Sequence, residues 1–325
     1  MEQIYPLKQI LEVLENMEAR DIIDSIENGF VAYSQGNVTV PPVGELLFED
    51  PPGDVHIKYG CIVGDDYYVI KIASGFYENP KLDLPSFSGM MLMFSQKTGR
   101  LDSILLDEGH LTNIRTAAAG AVAARYMAPR NVSRIGILGT GCQGRMQLEY
   151  LKPIVDCIDV IAWDINRDNL MAYKETLAAQ GYNIETTLQA GEVAESCNLI
   201  VTATPSQTPL LRADQIRKGT HITAMGSDTP AKQELDPEIL HSADRVVADS
   251  IDQSQTRGEI FQARKAGVLD DNLILELGKV IKNKELQRTS DEQITVADLT
   301  GVAVQDIQIC KIVSNYLKGR RIAYG

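Results

Sequence analysis

The stretch Ser133–Leu151 reads SRIGILGTGCQGRMQLEYL. A short apolar run meets Gly139, Gly141 and Gly144, spaced G-x-G-x-x-G, and then becomes a helical pattern. In a dinucleotide-binding unit the first glycine allows a tight turn. The second lets the backbone approach a pyrophosphate, and the third lets the helix pack close to the strand. The helix start, with Cys142 and Gln143, offers free N–H groups and a partial positive charge to phosphates. The next apolar run, VIAWD, ends in Asp164, 25 residues after Gly139. That is near the ~20 at which such folds place an acid on the adenosine ribose. Asp164 would accept from both ribose hydroxyls and repel a 2'-phosphate, so NAD(H) is favoured. Arg167, three residues on, leaves NADP(H) open. Thr202, Ala203 and Thr204 in TATPSQ, and Met225 and Gly226 in TAMGS, end later strands and would line the same cofactor.

Outward from this turn, residues 118–297 alternate apolar strands with helices, the pattern of a parallel sheet covered on both faces. Ahead of it, PLKQILEVLENMEARDIIDSIENGFVAYSQG reads as two amphipathic helices ending at a glycine. The strand-like alternation of DVHIKYGCIVGDDYYVIKIASGFY and SGMMLMFSQKTGRLDSILLDEG follows, with hairpin turns at VGDD and KTGR. The closing segment, ITVADLTGVAVQDIQICKIVSNYL, reads as a strand or loop and a helix returning to the first part. The expected fold is therefore α/β. A Rossmann-type doubly wound parallel sheet (118–297) is inserted into an α+β domain formed by residues 1–117 and 298–325.

Composition narrows the function. A net charge of -13 over 325 residues argues against a nucleic-acid partner, which needs a basic face. No apolar run approaches the ~18 residues of a membrane helix, and the N-terminus lacks a signal-peptide pattern. Five scattered cysteines and four histidines show no metal-ligand spacing, so no metal is expected and the thiols suit a reducing, cytoplasmic compartment.

Three polar residues stand out elsewhere. Lys71 lies inside the apolar strand VIKIASGF, where it either snorkels at an edge or points into a pocket. Arg115 opens the alanine-rich helix NIRTAAAGAVAARYM, where a cation is unfavourable unless an anion joins it. Asp228 follows a strand and Gly226, at the sheet edge where doubly wound folds bind ligands. It is either a turn residue ahead of Pro230 or a carboxylate that binds or protonates a substrate nitrogen.

IRTAAAGAVAARYMAP, GILGTGCQGRMQLEYL and GSDTPAKQELDPEIL, in this order, resemble the ornithine cyclodeaminase/mu-crystallin family. The resemblance runs from VPP at Val40 to DLTGVAVQDI. It implies bound NAD(P)(H), a homodimer joined through N-terminal sheets, and an amino- or imino-acid substrate. It also implies that Lys71 and Arg115 hold the substrate carboxylate, with Asp228 and Lys71 catalytic. Thr116 would meet the cofactor phosphates, and Leu299 would approach the nicotinamide. Two positions depart from the family pattern. Val43 stands where an arginine is common, and Lys58 stands where the cyclodeaminases resemble one another in having a glutamate.

Three activities fit. The first is hydride transfer at a Cα–N bond, as in an imine reductase or amino-acid dehydrogenase, with Lys58, Lys71 and Arg115 holding one or two carboxylates. The second is cyclodeamination of a diamino acid with catalytic NAD+. The third is a non-catalytic cofactor- or ligand-binding protein, against which Asp228 argues. Two like charges ~4 Å apart cost roughly 4 kcal/mol at an effective dielectric of 20, so Lys58 disfavours a substrate ending in ammonium.

Overall fold

The computed structural model describes residues 3–76 and 78–319. The chain divides into two compact units, Met1–Thr116 with Val302–Gly325, and Ala117–Gly301.

The first unit begins with β1 (Gln3–Pro6), α1 (Leu7–Leu14), α2 (Ala19–Ser34), β2 (Val38–Thr39), β3 (Gly44–Glu49), β4 (Pro52–Ile62), β5 (Tyr67–Phe76), β6 (Phe87–Ser95) and β7 (Leu101–Leu106). Among the described residues the sheet order is β1-β7-β6-β5-β4-β2, with β3 also on β4. All pairs are antiparallel except β1–β7. The hairpin turns lie where the sequence places them, with Gly64 and Gly99 at positive φ.

The register sorts side chains onto two faces, because they alternate along each strand. Lys58, Lys71, Met91 and Leu105 are directly paired across four strands and share one face. Ile4, Leu46, Ile57, Tyr59, Ile72, Met90, Ile104 and Leu106 share the other. On that second face Ile4, Leu46, Tyr59, Met90 and Leu106 are exposed.

α3 (His110–Met127) carries the chain across the division between units. The second unit runs β8 (Ile135–Leu138), α4 (Cys142–Leu151), β9 (Asp159–Trp163), α5 (Arg167–Ala178), β10 (Asn183–Thr187), α6 (Ala190–Ser196) and β11 (Leu199–Thr202). It continues through β12 (Gln207–Leu211), β13 (His221–Ala224), β14 (Gln233–Leu235), α7 (Pro237–Ser242), β15 (Arg245–Ala248), α8 (Glu259–Ala266), β16 (Ile274–Glu276), α9 (Leu277–Lys282) and β17 (Thr295–Asp298). Its main sheet is wholly parallel, in the order β10-β9-β8-β11-β13-β17-β15-β16. β8, β11, β13 and β17 are buried throughout, as expected of central parallel strands covered on both faces, although His221, Thr223, Thr295 and Asp298 make two of them partly polar. The strand order reverses between β8 and β11. Ligands of doubly wound sheets bind at such a switch point, outside the carboxyl ends of the strands.

The segment expected as strand or loop is a strand, β17, and it lies between β13 and β15 in the parallel sheet. α10 (Ala303–Leu317) does return to the first unit, where it packs on α1, α2, β4 and β5.

Candidate active site

The glycine turn has the shape its spacing predicts. Gly139 has φ +96, which excludes a side chain without strain, and its N–H donates to Trp163 O at 2.9 Å. A Cβ on Gly144 would stand 1.9 Å from Gly139 O, so only glycine lets α4 pack this closely on its own turn. Gly141 is different: its φ and ψ suit any residue, and a Cβ there would meet nothing within 4 Å. The turn therefore keeps open space in front of residue 141, at the N-terminus of α4, whose N-cap is this same glycine. Open space at a helix N-terminus is where a phosphate group binds.

Asp164, buried at the end of β9, accepts from Thr140 N (2.8 Å) and Thr140 Oγ1 (2.7 Å) through Oδ2, and from Asn166 N (2.9 Å) through Oδ1. These bonds lock the carboxylate beside the glycine turn. Arg167 is exposed at the first position of α5.

A buried carboxylate that the sequence did not single out shapes the neighbouring strand ends. Glu234 Oε1 accepts from Thr204 N and Oγ1, and its Oε2 accepts from Thr202 Oγ1 and Gly226 N, all at 2.6–2.9 Å. The hydroxyls of Thr202 and Thr204 are thus spent on Glu234. Burial raises the Glu234 carboxyl above its ordinary range, against the opposing bonds from both threonines. Glu259 fastens the same region from α8 by accepting Glu234 N at 2.7 Å and Leu235 N at 3.2 Å.

Asp228 sits in the loop between β13 and β14. Its side chain is 47% exposed, and Oδ1 pairs with Lys232 Nζ at 2.7 Å. The loop is braced, since Ser227 Oγ donates to Lys232 O and Gln262 Nε2 donates to Pro230 O and Lys232 O. A carboxylate so held already grips one ammonium ion. Leu299 is buried just past β17, and its N–H donates to Ala224 O.

In the first unit the structure brings Lys71 and Arg115 together. Lys71 is 2% exposed and Arg115 6%. A carboxylate absent from the sequence-based set joins them. Asp306, in the first turn of α10, lies 3.7 Å from Lys71 Nζ and 3.1 Å from Arg115 Nε. Gln305 Oε1 accepts from Arg115 Nη1 at 2.6 Å. Burial lowers Lys71 to about 8, with Asp306 opposing and Arg115 reinforcing the shift. Lys58, 8% exposed, is the cross-strand neighbour of Lys71 on the same face. Asp107, fully buried ahead of α3, accepts from Leu111 N at 2.9 Å, and burial raises its carboxyl. Thr116, one residue beyond Arg115, donates its hydroxyl to Thr112 O at 2.8 Å.

The expected residues therefore form two sets. Lys58, Lys71, Arg115 and Thr116 belong to the first unit. Gly139, Gly141, Cys142, Gln143, Gly144, Asp164, Arg167, Thr202–Thr204, Met225, Gly226, Asp228 and Leu299 belong to the second. Asp306 had one readable signal: an acid within the apolar run VAVQDIQIC, all of whose residues are buried. Among the described residues no cluster of three or more His, Cys, Asp or Glu is arranged to hold a metal, and no helix is long and apolar enough to cross a membrane.

Comparison with known proteins follows the same lines. A putative dehydrogenase of Rhizobium meliloti is 38% identical over 297 residues, covering 90% of this chain and 89% of the relative. An uncharacterized cyclodeaminase of Sinorhizobium fredii is also 38% identical, over 295 residues with the same coverage. The alanine dehydrogenase of Archaeoglobus fulgidus is 35% identical over 314 residues, 96% of this chain and 94% of its own. Among solved structures, an archaeal alanine dehydrogenase dimer with bound NAD superposes with TM-score 0.89 at 31% identity, covering 100% and 99% of the two chains. The Thermococcus litoralis Delta(1)-pyrroline-2-carboxylate reductase with NADH and L-proline gives 0.90 at 26%, covering 99% and 100%. The iminosuccinate reductase of Paracoccus denitrificans with NAD+ gives 0.89 at 28%, covering 98% and 96%. The sequence model of the ornithine cyclodeaminase/mu-crystallin family matches residues 5–321, nearly the whole length, and the chain belongs to that family.

Proposed function

We propose that this protein is an NAD(H)-dependent oxidoreductase that interconverts a small amino acid and its imine. The Gly139–Gly144 turn and Asp164 would hold the nicotinamide cofactor, which would supply or accept a hydride at Cα. Lys71 and Arg115 bind the substrate carboxylate. Asp228 hydrogen-bonds the substrate nitrogen and delivers or removes its proton. In this reading the Ala117–Gly301 unit carries the dinucleotide, and the Met1–Thr116 and Val302–Gly325 unit carries the substrate cations. The open cradle at Gly141 and the names of the alanine dehydrogenase, pyrroline-carboxylate reductase and iminosuccinate reductase relatives support it.

One observation favours net redox chemistry over cyclodeamination. Lys58 and Lys71 are directly paired on one sheet face and both are buried. A diamino acid would bring a second ammonium toward them, at roughly 4 kcal/mol for a ~4 Å approach at an effective dielectric of 20. Cyclodeamination is the second reading. It is favoured by Asp228, which already binds an amine at Lys232, and by the cyclodeaminase relative.

Self-association as a homodimer fits the exposed apolar face of Ile4, Leu46, Tyr59, Met90 and Leu106, and the dimeric alanine dehydrogenase relative supports it. A cytoplasmic setting fits five unpaired cysteines.

The test is a substrate screen at 340 nm with amino acids plus NAD+, and with keto acids, ammonia or methylamine plus NADH. Stoichiometric absorbance change is expected. Ammonia release from ornithine without net NADH would select the second reading. No turnover of either kind would overturn both.

A further inference from the structure

Asp306 has an unusual environment for a buried acid. It is 1% exposed and lies between Lys71 Nζ and Arg115 Nε. Neither of its oxygens, nor Arg115 Nε, has an aligned hydrogen bond among the described residues. Lys71 Nζ stands beyond hydrogen-bond distance and Arg115 Nε is near but misaligned, so charge pairing is what the carboxylate provides. For folding alone this is a poor device. Two charges taken out of water are costly, and an apolar residue of similar size commonly does as well or better. The arrangement has a reason if a further anion is to join it.

Resting on the reading that Lys71 and Arg115 bind the substrate carboxylate, we propose that Asp306 is a positioning residue that keeps this pair charged and fixed for that carboxylate. It engages the Nε edge of Arg115 while Gln305 holds Nη1, so two neighbouring residues of one helical turn set the guanidinium plane. Nη2, with no hydrogen-bond partner among the described residues, is left to a ligand. One anion between two cations leaves one positive charge for a carboxylate to neutralise. Lys71 is the labile member. Facing it are Asp306 and Cys310 from α10, Arg115 from α3, Asp107 ahead of α3, Lys58 from β4 and Met91 from β6. Burial and Arg115 drive Lys71 toward its neutral amine, and Asp306 is the strongest influence keeping the proton on it. Lys71 is charged below about 8 and neutral above, so loss of Asp306 moves that transition to lower pH.

The experiment measures KM, kcat and NADH affinity from pH 6 to 9 in the full-length protein. In the native protein, KM for the carboxylate substrate is expected to climb above about pH 8. In Asp306→Asn the climb should begin at least one pH unit lower, giving a KM raised at least about threefold at pH 7.5 and about tenfold by pH 9. kcat should stay within a few-fold and NADH affinity should not change. Adding Lys71→Arg to Asp306→Asn should flatten the profile, because a guanidinium stays charged. A KM raised by the same factor at every pH would overturn the proposal. If Asp306→Asn does not fold, Asp306→Glu serves, since it keeps the charge and moves it by one methylene. A raised KM with the native pH onset supports the role, and native KM refutes it. Lys71→Ala and Arg115→Ala separate the two levels. If both leave KM unchanged, the carboxylate site and this proposal fail together. If both raise KM while Asp306→Asn tracks the native pH profile, only the role of Asp306 fails.

Discussion

Gly141→Ala separates ligand binding from folding at a single atom. In the cofactor-free protein the new methyl would meet nothing within 4 Å, and the backbone at φ -69 and ψ -164 suits alanine. The substitution should therefore stabilise the fold by about 0.4–1 kcal/mol through the unfolded chain. For a unit of this size that raises Tm by about 1–4 °C. On the proposed reading, the same methyl would occupy the space that the pyrophosphate takes. Displacing the phosphates from the start of α4 forfeits at least one charge-assisted hydrogen bond, about 1.5–3 kcal/mol. That corresponds to a 10- to 150-fold rise in Kd for NADH. Gly144→Ala is the contrast. Its methyl would stand 1.9 Å from Gly139 O, a backbone atom that cannot turn aside. Overpacking of this kind costs about 1–3 kcal/mol, so Tm falls along with affinity. NADH fluorescence titration and thermal melts of the two variants make the comparison. Native NADH affinity in Gly141→Ala would refute the idea that the diphosphate lies against this turn.

Three further predictions concern other residues. Asp228→Asn should lose at least about 100-fold in kcat with NADH affinity unchanged, since an amide can hydrogen-bond the nitrogen but cannot move its proton; native kcat would remove Asp228 from the chemistry. Lys58→Glu should raise kcat/KM for diamino acids relative to alanine by at least about tenfold, measured by competition; an unchanged ranking would mean Lys58 lies outside the substrate's reach. Asp298, held by burial at about 7 instead of 3.8, is protonated in the fold where the unfolded chain has lost its proton. Stability is therefore lost as pH rises from about 4 to 7, by at most about 4 kcal/mol from this residue. Asp298→Asn should flatten the fall of Tm over that window, and parallel Tm-against-pH curves for the two proteins would contradict this.

The parts legible in sequence were those governed by local chemistry. The Gly139–Gly144 turn, the amphipathic period of α2 and the glycine hairpins at 64 and 99 each follow from backbone sterics or alternation over a few residues. β1 and β3 were missed because four residues ending in Pro6 and the run GELLFE show no alternation against a covered face. β17 is four residues long, and only its neighbours β13 and β15 reveal that it completes the parallel sheet. In the site, Lys71 was readable because a lysine inside an apolar strand looks anomalous alone. Arg115 was singled out as the opening residue of its helix, but α3 begins at His110 and places it in the second turn, so the helix-dipole argument for it does not hold. Asp306 stands out as an acid in a mostly apolar run, but its role as their counter-ion was not readable. Asp306 lies 235 positions after Lys71, and a pairing over that distance leaves no local pattern. Glu234 was hidden for the same reason, since its value lies in joining Thr202, Thr204 and Gly226 from two other strand ends.

Isotope transfer tests the central claim most directly. The protein would be run with NADH deuterated at C4, on each face in turn, and with the imine formed from pyruvate or glyoxylate and an amine. The account predicts that one of the two labelled cofactors places a single deuterium on Cα of the amino-acid product, detected by mass spectrometry, in proportion to NADH consumed. Products without label from either cofactor, or labelled cofactor left intact while ornithine loses ammonia, would contradict it.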